Sequence, residues 1–457
     1  MSRTASPAPP LPATAPPPPP SPSPSPSPDG PSARARTGAY ARLPRLAGTS
    51  FLPVAFLARL PFSMLTIGTL LLVTQTTGSV AHGGLASAAT ALGTAVGGPT
   101  QGTLADRVGQ RRVVLACVPL AVLAVAALLV ASADPSGAGL AAVLGAAALV
   151  GASVPQVGPL ARVRWIALTA DEPRTLSAAM SYESTADEVS FVLGPALVGV
   201  LAAAGSPQVA VVVAAVLVAT AGTAFALHPT ARTAAPAHAG PASTAVAPGV
   251  PAGLRGALHL VRRESVAVVG MVAMGLLFGG TQAALTAFTR DAGSPDVAGL
   301  VYAVMGVGSA VTALSVVALP DRWSHAARWA GFAGGLLLGA GSLLGAASTG
   351  SLAAVVAAVA VVGLFVGPVM VTVFTVAGDR APAGRTAAAM TLVASANVVG
   401  VALGATSAGQ LAESVGTTAA FAVPVVAAAV LLVTGVSLTS RPRAGRGTGP
   451  AAAAAVR

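Results

Sequence analysis

The sequence predicts an all-α membrane protein whose twelve transmembrane helices form two six-helix bundles related by a parallel repeat. Of the 457 residues, 54% are hydrophobic and only 9% are charged, whereas roughly a quarter of an ordinary soluble domain is charged. Apolar runs recur along the chain at the length of about 20 residues that a helix needs to cross a bilayer. Two stretches of the first half also reappear in register in the second half.

Twelve apolar runs, separated by short polar breaks, are counted here as spans 1 to 12. Backbone inside hydrocarbon must satisfy its own hydrogen bonds, so unbroken runs of this length are predicted to be helical. The predicted spans are residues 51–74, 83–104, 113–132, 139–160, 176–204, 208–227, 266–289, 297–319, 329–348, 352–377, 386–411 and 417–439.

Composition divides the chain into five predicted segments. Residues 1–47 are rich in proline and serine and are expected to form a disordered cytoplasmic tail. The N-terminal bundle is predicted over 48–227, and an Ala/Pro/Ser-rich linker over 228–264. The C-terminal bundle then covers 265–440, and 441–457 form a basic tail.

The distribution of arginine predicts the orientation of the chain. All 25 Lys and Arg residues are arginine, and 23 of them fall in the tails, the linker and the loops after spans 2, 4, 8 and 10. Arg290 lies on the opposite face and Arg59 within span 1. Because cytoplasmic loops hold the positive charge, both termini and the linker are predicted to be cytoplasmic. The net charge of +11 is therefore attributed to topology and not to nucleic-acid binding.

The same composition excludes several kinds of chemistry. Without lysine there is no P-loop ATPase and no pyridoxal enzyme, since each needs a lysine at its centre. The single cysteine, Cys117, and five scattered histidines show no metal-ligand spacing. The sequence thus predicts no enzyme activity, no cofactor and no metal site.

An internal repeat supports the division into halves. A shift of 215 residues aligns 78–107 with 293–322 at 11 identical positions of 30, and a shift of 210 places Asp187 on Asn397 and Gly194 on Gly404. Parallel repeats of six helices imply a binding site between the halves near the bilayer midplane, with transport by rocking of one half against the other.

The loop after span 2 carries a specific motif. Its pattern of glycine, aspartate-arginine, glycine and paired basic residues resembles motif A, the signature loop of the major facilitator superfamily, and a degenerate copy follows span 8. The resemblance covers nearly everything outside the tails and the linker, and it implies a transporter that acts on a small molecule. The residues that carry it are Gly102, Asp106, Arg107, Gly109, Arg111 and Arg112, with Asp321 and Arg322 in the copy.

Asp106 has a physical role that can be argued from its position. It is predicted at the cytoplasmic face, where span 11 begins near Thr386, and a helix start presents unpaired N–H groups that an aspartate can cap. Capping across the halves would latch the cytoplasmic gate, a role that the resemblance also implies, with the motif arginines in its charge network. The repeat predicts a mirror contact from Asp321 to the start of span 5. Alternatively, Asp106 only neutralises neighbouring arginines in a solvated loop.

Two further family elements are incomplete. Gly194, Pro195 and Gly199 in span 5 partly resemble motif C, which is associated with exporters, and this favours export over uptake. In span 4, Ser153 stands where motif B has its arginine, ahead of Gln156. If the protein is proton-driven, a coupling charge must therefore come from elsewhere in the chain.

Four ionisable residues within the spans are candidates for that charge. Arg59 lies in span 1, and Glu183, Asp187 and Glu188 lie in span 5. Such residues are costly in a membrane and usually functional. Three interpretations stay open: a structural ion pair, a titrating site that couples protons, and a solvated end of span 5. Because one arginine cannot neutralise three acids, one carboxyl group is expected to remain available for a proton.

The resemblance implies a substrate cavity lined by spans 1, 4, 7 and 10. Few charges occur on these spans, which favours a neutral or weakly polar amphiphilic substrate. The overall prediction is a monomeric, proton-coupled exporter in the plasma membrane, with an uptake permease or a non-transporting membrane sensor as alternatives. The candidate cavity residues are Phe62, Ser63, Thr66, Gln156, Gln282, Phe365 and Thr372.

The predicted topology can be tested with single cysteines. A Ser243→Cys variant in a Cys117→Ala background is expected to resist an impermeant thiol reagent in intact cells, because Ser243 lies in the arginine-bearing linker. It should react once the cells are permeabilised. Arg290→Cys, on the opposite predicted face, is the positive control. Labelling of the Ser243 position in intact cells would overturn the arrangement.

Overall fold

The computed structural model describes residues 33–133, 135–233, 254–294, 297–320 and 322–439, and within these ranges the chain is helical with no β-strand. The prediction of an all-α chain is confirmed. The first half contains α1 (Ala33–Ala47), α2 (Phe51–Thr77), α3 (Val80–Val108), α4 (Gln110–Ala133), α5 (Pro135–Ser153), α6 (Val157–Leu168), α7 (Pro173–Ala204), α8 (Pro207–Leu217) and α9 (Thr223–Leu227). The second half contains α10 (Leu254–Arg263), α11 (Ser265–Asp291), α12 (Ala298–Ser315), α13 (His325–Ser348), α14 (Leu352–Arg380), α15 (Thr386–Ser414), α16 (Thr417–Ala420) and α17 (Ala422–Thr439).

The helices pack around two hydrophobic cores, one drawn almost entirely from α1 to α9 and the other from α11 to α17. Among the described residues, 11 helical stretches are long and apolar enough to cross a membrane. Span 2, which is α3, is not among them, since glycine, alanine and threonine dominate its 29 residues. We count it as the twelfth span because it matches the others in length and packs against α2, α5 and α15.

Span 4 is not the single helix that the sequence predicts. Its helix stops at Ser153 and resumes at Val157, because Pro155 has no N–H to continue the ladder. The Gln101 amide of α3 bonds to the backbone at the break: its Nε2 donates to the carbonyls of Ala152 and Val154 at 2.9 and 3.0 Å. Its Oε1 accepts from the Gln156 N–H at 3.2 Å. A break at this depth is tolerated because a neighbouring side chain satisfies the freed groups.

Span 6 and the predicted tail and linker also differ from expectation. A π-helical turn, Val218–Gly222, separates α8 from α9. The tail prediction is wrong for Ala33–Ala47, which form α1 because Ala39, Leu43 and Ala47 make one buried stripe. In the predicted linker, Pro229–Arg232 form a 3₁₀ turn and α10 follows. Residues 1–32, 234–253 and 440–457 lie outside the described ranges.

Glycines allow a close helix contact in the second half, between α11 and α15. A Cβ atom at Gly275 would overlap the carbonyl oxygen of Asn397, and one at Gly404 would overlap that of Leu276. Small residues at such positions let backbones approach closely in a membrane, where apolar side chains gain nothing by leaving lipid.

This contact predicts a stability difference between two glycines of α15. Gly404→Ala is expected to lower the free energy of unfolding by about 1–3 kcal/mol, the usual cost of overpacking. Gly409→Ala is the matched control, because no heavy atom lies within 4 Å of its Cβ position. Denaturant unfolding of both variants in detergent, followed by circular dichroism, measures the difference. Equal stability of the two variants would contradict the packing argument.

Candidate functional site

A buried cluster of charges joins α2 to α7. The Arg59 Nη2 atom lies 2.5 Å from Glu183 Oε2, and its Nη1 atom lies 2.9 Å from Asp187 Oδ1. The Arg59 guanidinium also donates from Nη1 to the Glu183 carbonyl at 3.2 Å. Arg59 is 4% exposed and Glu183 fully buried, so the interpretation of these residues as a solvated helix end is wrong. Glu183 and Asp187 meet the same arginine because they lie four residues apart on α7.

A second arginine completes the cluster. Arg162, assigned from the sequence to the loop after span 4, lies in α6 and is fully buried. Its Nη2 atom lies 2.7 Å from Asp187 Oδ2. Two arginines therefore neutralise Glu183 and Asp187, and the expectation of a single arginine facing all three acids is wrong. The helix runs to Leu168, eight residues beyond the predicted end of span 4, so Arg162 is carried inward instead of into a loop.

Arg162 also connects the two halves of the protein. Its guanidinium carbon lies 3.9 Å from the ring centroid of Phe374 on α14, a distance at which a cation is attracted to an aromatic face. Trp165, one turn further along α6, is fully buried and donates from Nε1 to Glu183 Oε1 at 2.8 Å. A tryptophan near a predicted span end indicates interfacial anchoring, and here it holds a carboxylate instead.

The remaining arginine of α6 is a structural residue. Arg164, also assigned to the loop from the sequence, is fully buried and donates to Gln110 Oε1 at 2.9 Å and to the Phe225 carbonyl at 3.0 Å. Its guanidinium lies 3.7 Å from the Phe225 ring centroid. Arg164 thereby fastens the end of α9 to α4 and α6.

Glu188 is the acid that the arginines do not reach. It is 6% exposed, and neither carboxylate oxygen has a hydrogen-bond partner in the part of the chain that the structure describes. Its neighbours across the contact with α12 are Ser309 and Tyr302. The three acids of α7 thus divide into two that are paired and one that is unpaired.

A cavity lies between the halves, beside the paired acids. Asp187, whose side chain is 16% exposed, and Asn397, its counterpart in the repeat, both contribute to the wall. Most of the other wall residues are apolar or aromatic. The lining comprises Arg59, Phe62, Pro155, Gln156, Val157, Gly158, Pro159, Asp187, Ser190, Phe191, Met271, Met370, Phe374, Ala394, Asn397 and Val398.

The structure brings only two of the seven predicted cavity residues, Phe62 and Gln156, to this wall. Among the wall residues from spans 1, 4, 7 and 10 the charged one is Arg59; Asp187 comes from span 5, which the predicted lining did not include.

The other five predicted cavity residues lie elsewhere. The Ser63 hydroxyl donates to the Leu60 and Ser190 carbonyls. The hydroxyls of Thr66 and Thr372 each donate to a carbonyl of their own helix. Gln282 is exposed, and Phe365 packs on Gly335. These five residues lie on spans 1, 7 and 10, which do contribute to the wall, but their side chains lie on other faces of those helices.

Asp106 lies at the other end of the contact between the halves. Its Oδ1 accepts from the Ala387 N–H at 2.9 Å and its Oδ2 from the Ala388 N–H at 2.8 Å. Both donors belong to the first turn of α15, which the carboxylate therefore caps. Gly102, one turn earlier on α3, permits the approach because a Cβ there would overlap the Ala387 carbonyl.

The other motif residues surround this cap. Gly109 ends α3 with φ of 89°, a backbone conformation that favours glycine. Arg385 is the cation next to the Asp106 carboxylate, whereas the four arginines of the motif and its copy are exposed. The side of the protein formed by the ends of α3, α12 and α14 and the starts of α4, α7, α13 and α15 is called the arginine-rich face below. The exposed arginines are Arg107, Arg111, Arg112 and Arg322.

The structure shows the surroundings of the motif C and motif B residues, whereas the mirror contact of Asp321 cannot be described. A Cβ at Gly194 would overlap the Ser63 hydroxyl, so this glycine brings α7 against α2, whereas no atom lies within 4 Å of the Cβ position of Gly199. Pro195 lies inside α7, and Ser153 donates to the Leu149 carbonyl. Asp321 and its predicted mirror contact lie outside the described residues.

Comparison with known proteins finds a family model that matches the chain and solved structures with a similar fold. The family model of the Major Facilitator Superfamily matches residues 51–390 and 267–456. The human organic anion transporter MFSD10 is 20% identical with a TM-score of 0.63, and the match covers 85% of this chain and 98% of that one. A bacterial homologue of the iron transporter ferroportin, in an outward-facing state, is 15% identical with a TM-score of 0.66 over 86% and 99% of the two chains. The E. coli fucose:proton symporter is 15% identical with a TM-score of 0.59 over 85% and 99%. No curated protein matches the chain in sequence.

The charge cluster predicts which substitution rescues the loss of Arg59. Arg59→Ala is expected to destabilise the protein by about 3–5 kcal/mol, because it leaves buried carboxylates without their partner. Adding Glu183→Gln should restore part of the thermal stability. Asp187→Asn should restore less, since Asp187 retains Arg162 at 2.7 Å.

Thermal unfolding of the purified variants in detergent measures this order. Glu413→Gln, at an exposed acid on α15, is the control second substitution and should restore nothing. Equal rescue by Glu413→Gln and Glu183→Gln would contradict the pairing.

Proposed function

The chain belongs to the major facilitator superfamily, and on that premise we propose that it is a proton-coupled exporter of small amphiphilic molecules that works by alternating access. The observation that carries the proposal is the cavity between the halves, which has the Arg59–Asp187 ion pair in its wall. A ligand there touches both halves, so rocking of the halves moves the access to it from one side of the membrane to the other.

Access from the arginine-rich face is closed in this structure. The Asp106 cap joins α3 to α15, and deeper along the same contact the Ser395 hydroxyl donates to the Thr94 carbonyl at 3.3 Å. Opening this face requires the two hydrogen bonds to Asp106 to break. We therefore assign Asp106 as the latch of the gate, in a network with Arg385.

The wall of the cavity supports an amphiphilic substrate. Rings and thioethers such as Phe62, Phe374, Met271 and Met370 offer apolar area, and Gln156 and Asn397 add neutral polar groups. The pairing of Glu183 and Asp187 with Arg59 and Arg162 leaves the charged part of the wall close to neutral. A molecule with one apolar body and one polar end fits this lining better than a multiply charged metabolite.

Proton coupling, direction and location complete the proposal. The pairing of two acids with two arginines leaves one buried carboxyl group of α7 for a proton. The motif C resemblance at Gly194 and Pro195 favours export, and the distribution of arginine supports cytoplasmic termini. We propose the plasma membrane as the location. The protein is proposed to act as a monomer, with lipid, a small molecule and protons as its partners.

Flux measurements in liposomes test this function. Purified protein is reconstituted with an imposed pH gradient, and a panel of amphiphilic compounds is screened in both gradient directions. Export coupled to protons predicts flux of at least one compound against the direction of proton movement. Flux in the same direction as protons would identify an uptake permease. Absence of gradient-dependent flux for every compound would favour a non-transporting sensor.

The latch predicts a graded effect of two substitutions at one position. Asp106→Asn keeps one acceptor oxygen for α15 and Asp106→Ala keeps none, so the alanine variant should impair transport more. Losing a cap costs about 1 kcal/mol, which shifts a balanced gate several-fold. Leu104→Ala, at an exposed position two residues earlier, is the control. Normal flux in both Asp106 variants at matched expression would refute the latch.

A further inference from the structure

A row of polar side chains on α7 follows the contact between the halves and lies outside the substrate cavity. Ser181, Ser184 and Glu188 are spaced three and four residues apart, so they share one face of the helix. Both serines are fully buried, Glu188 is 6% exposed, and none of the three lines the cavity. Within the described ranges, none of their side-chain oxygens has a hydrogen-bond partner. Three neighbouring polar groups without partners are costly in a buried seam.

The surface opposite this row belongs to α12, in the other half of the protein. The Thr185 hydroxyl of α7 donates to the Ala310 carbonyl at 3.3 Å, and one turn away Ser309 lies next to Glu188. The Ser309 hydroxyl is 1% exposed and also lacks a partner among the described residues. Glu188 thus sits where the two halves meet, and rocking of the halves changes its surroundings.

The row reaches the arginine-rich face beneath α1. Tyr40 of α1 lies beside Ser181, and its hydroxyl donates to the Leu314 carbonyl at the end of α12 at 2.6 Å. The half-buried ring of Tyr40 therefore covers the outer end of the row and bridges to the second half. From there the hydroxyl groups lead inward along α7 to Glu188.

The charges around Glu188 do not neutralise it. On its own helix, Asp187 is occupied by Arg59 and Arg162, and Arg59 of α2 is engaged with Glu183 and Asp187. On α12 the titratable residue is Tyr302, and on α14 the titratable residues are confined to its last two positions. A buried carboxyl group with no cation beside it is more stable in its neutral form. Separation of α7 from α12 would admit water and stabilise the ionised form.

We propose that Glu188 is the proton-binding site of the transport cycle and that it releases its proton to the arginine-rich face through water that enters the opened seam past Ser184 and Ser181. The proposal rests on the proposed function and makes it specific. The O–H bond of the Glu188 carboxyl breaks, water that has entered between α7 and α12 takes the proton, and the carboxylate remains in the opened seam beside the serine hydroxyls. Substrate and proton then bind at separate places, with Asp187 facing the cavity and the adjacent Glu188 facing the seam. Coupling between them passes through movement of α7.

The test measures how far the arginine-rich face opens when no substrate is present. Spin labels at Asp171 and Arg262, exposed residues of different halves that lie outside the latch motif, report their separation in a Cys117→Ala background. Raising the pH of the otherwise unchanged protein should favour the open form by up to about tenfold per pH unit for a single proton. Glu188→Gln should stay closed at every pH. Glu413→Gln, an exposed acid in the other half, should behave like the unchanged protein.

Further measurements keep the outcome decisive. Glu188→Gln should unfold at a temperature no lower than the unchanged protein, because the amide is neutral, and Ser184→Ala should slow the response to a pH jump without moving its midpoint. The proposal is overturned if Glu188→Gln opens with rising pH as fully as the unchanged protein does. It is also overturned if the unchanged protein opens in response to Na⁺ instead of pH, or if its open and closed populations do not change with pH. Proton-driven flux that persists in Glu188→Gln refutes this site alone, whereas a Glu188-dependent opening without flux of any compound refutes the transport function and leaves the site in place.

Discussion

The cost of leaving a charge unpaired within a membrane protein organises the first half of this structure. Arg59 would be unfavourable in span 1 without acids at the same depth, and Glu183 and Asp187 supply them from α7 at 2.5 and 2.9 Å. Asp187 also forms an ion pair with Arg162, whose guanidinium lies over the ring of Phe374 in the other half. One chain of charge neutralisation therefore fastens α2 to α7 and α6, and reaches α14 at the edge of the cavity.

The break in span 4 makes this chain of contacts geometrically available. Pro155 stops α5, and Gln101 satisfies the backbone groups that the break exposes. The chain then restarts as α6, which carries Arg162 and Trp165 into the cluster and places residues 155–159 in the wall of the cavity. A single buried amide on α3 thereby allows an irregular backbone to form part of the candidate binding site.

The two halves share their helix contacts but differ in their charges. Gly194 and Gly404 occupy equivalent positions of the repeat, and each brings its helix against the first transmembrane helix of its own half. Asp187 and Asn397 are equivalent too and both line the cavity. Because the second half has an amide where the first has this acid, the ion pairs beside the cavity belong to the first half. A structural repeat thus supports an asymmetric task, in which one half carries the charges.

The sequence by itself determined the all-α class, the family and the place where the halves touch at Asp106, because apolar run length, a specific motif and a helix start are local properties of the chain. It did not show that Arg162 and Trp165 enter the cluster, or that five of the seven predicted cavity residues face elsewhere. Helices that are apolar on all sides lose the periodic pattern that distinguishes an inward face from a lipid face. Only the packing of α2, α6, α7 and α14 decided which side chains meet, since pairing of buried charges depends on distances between helices far apart in the chain.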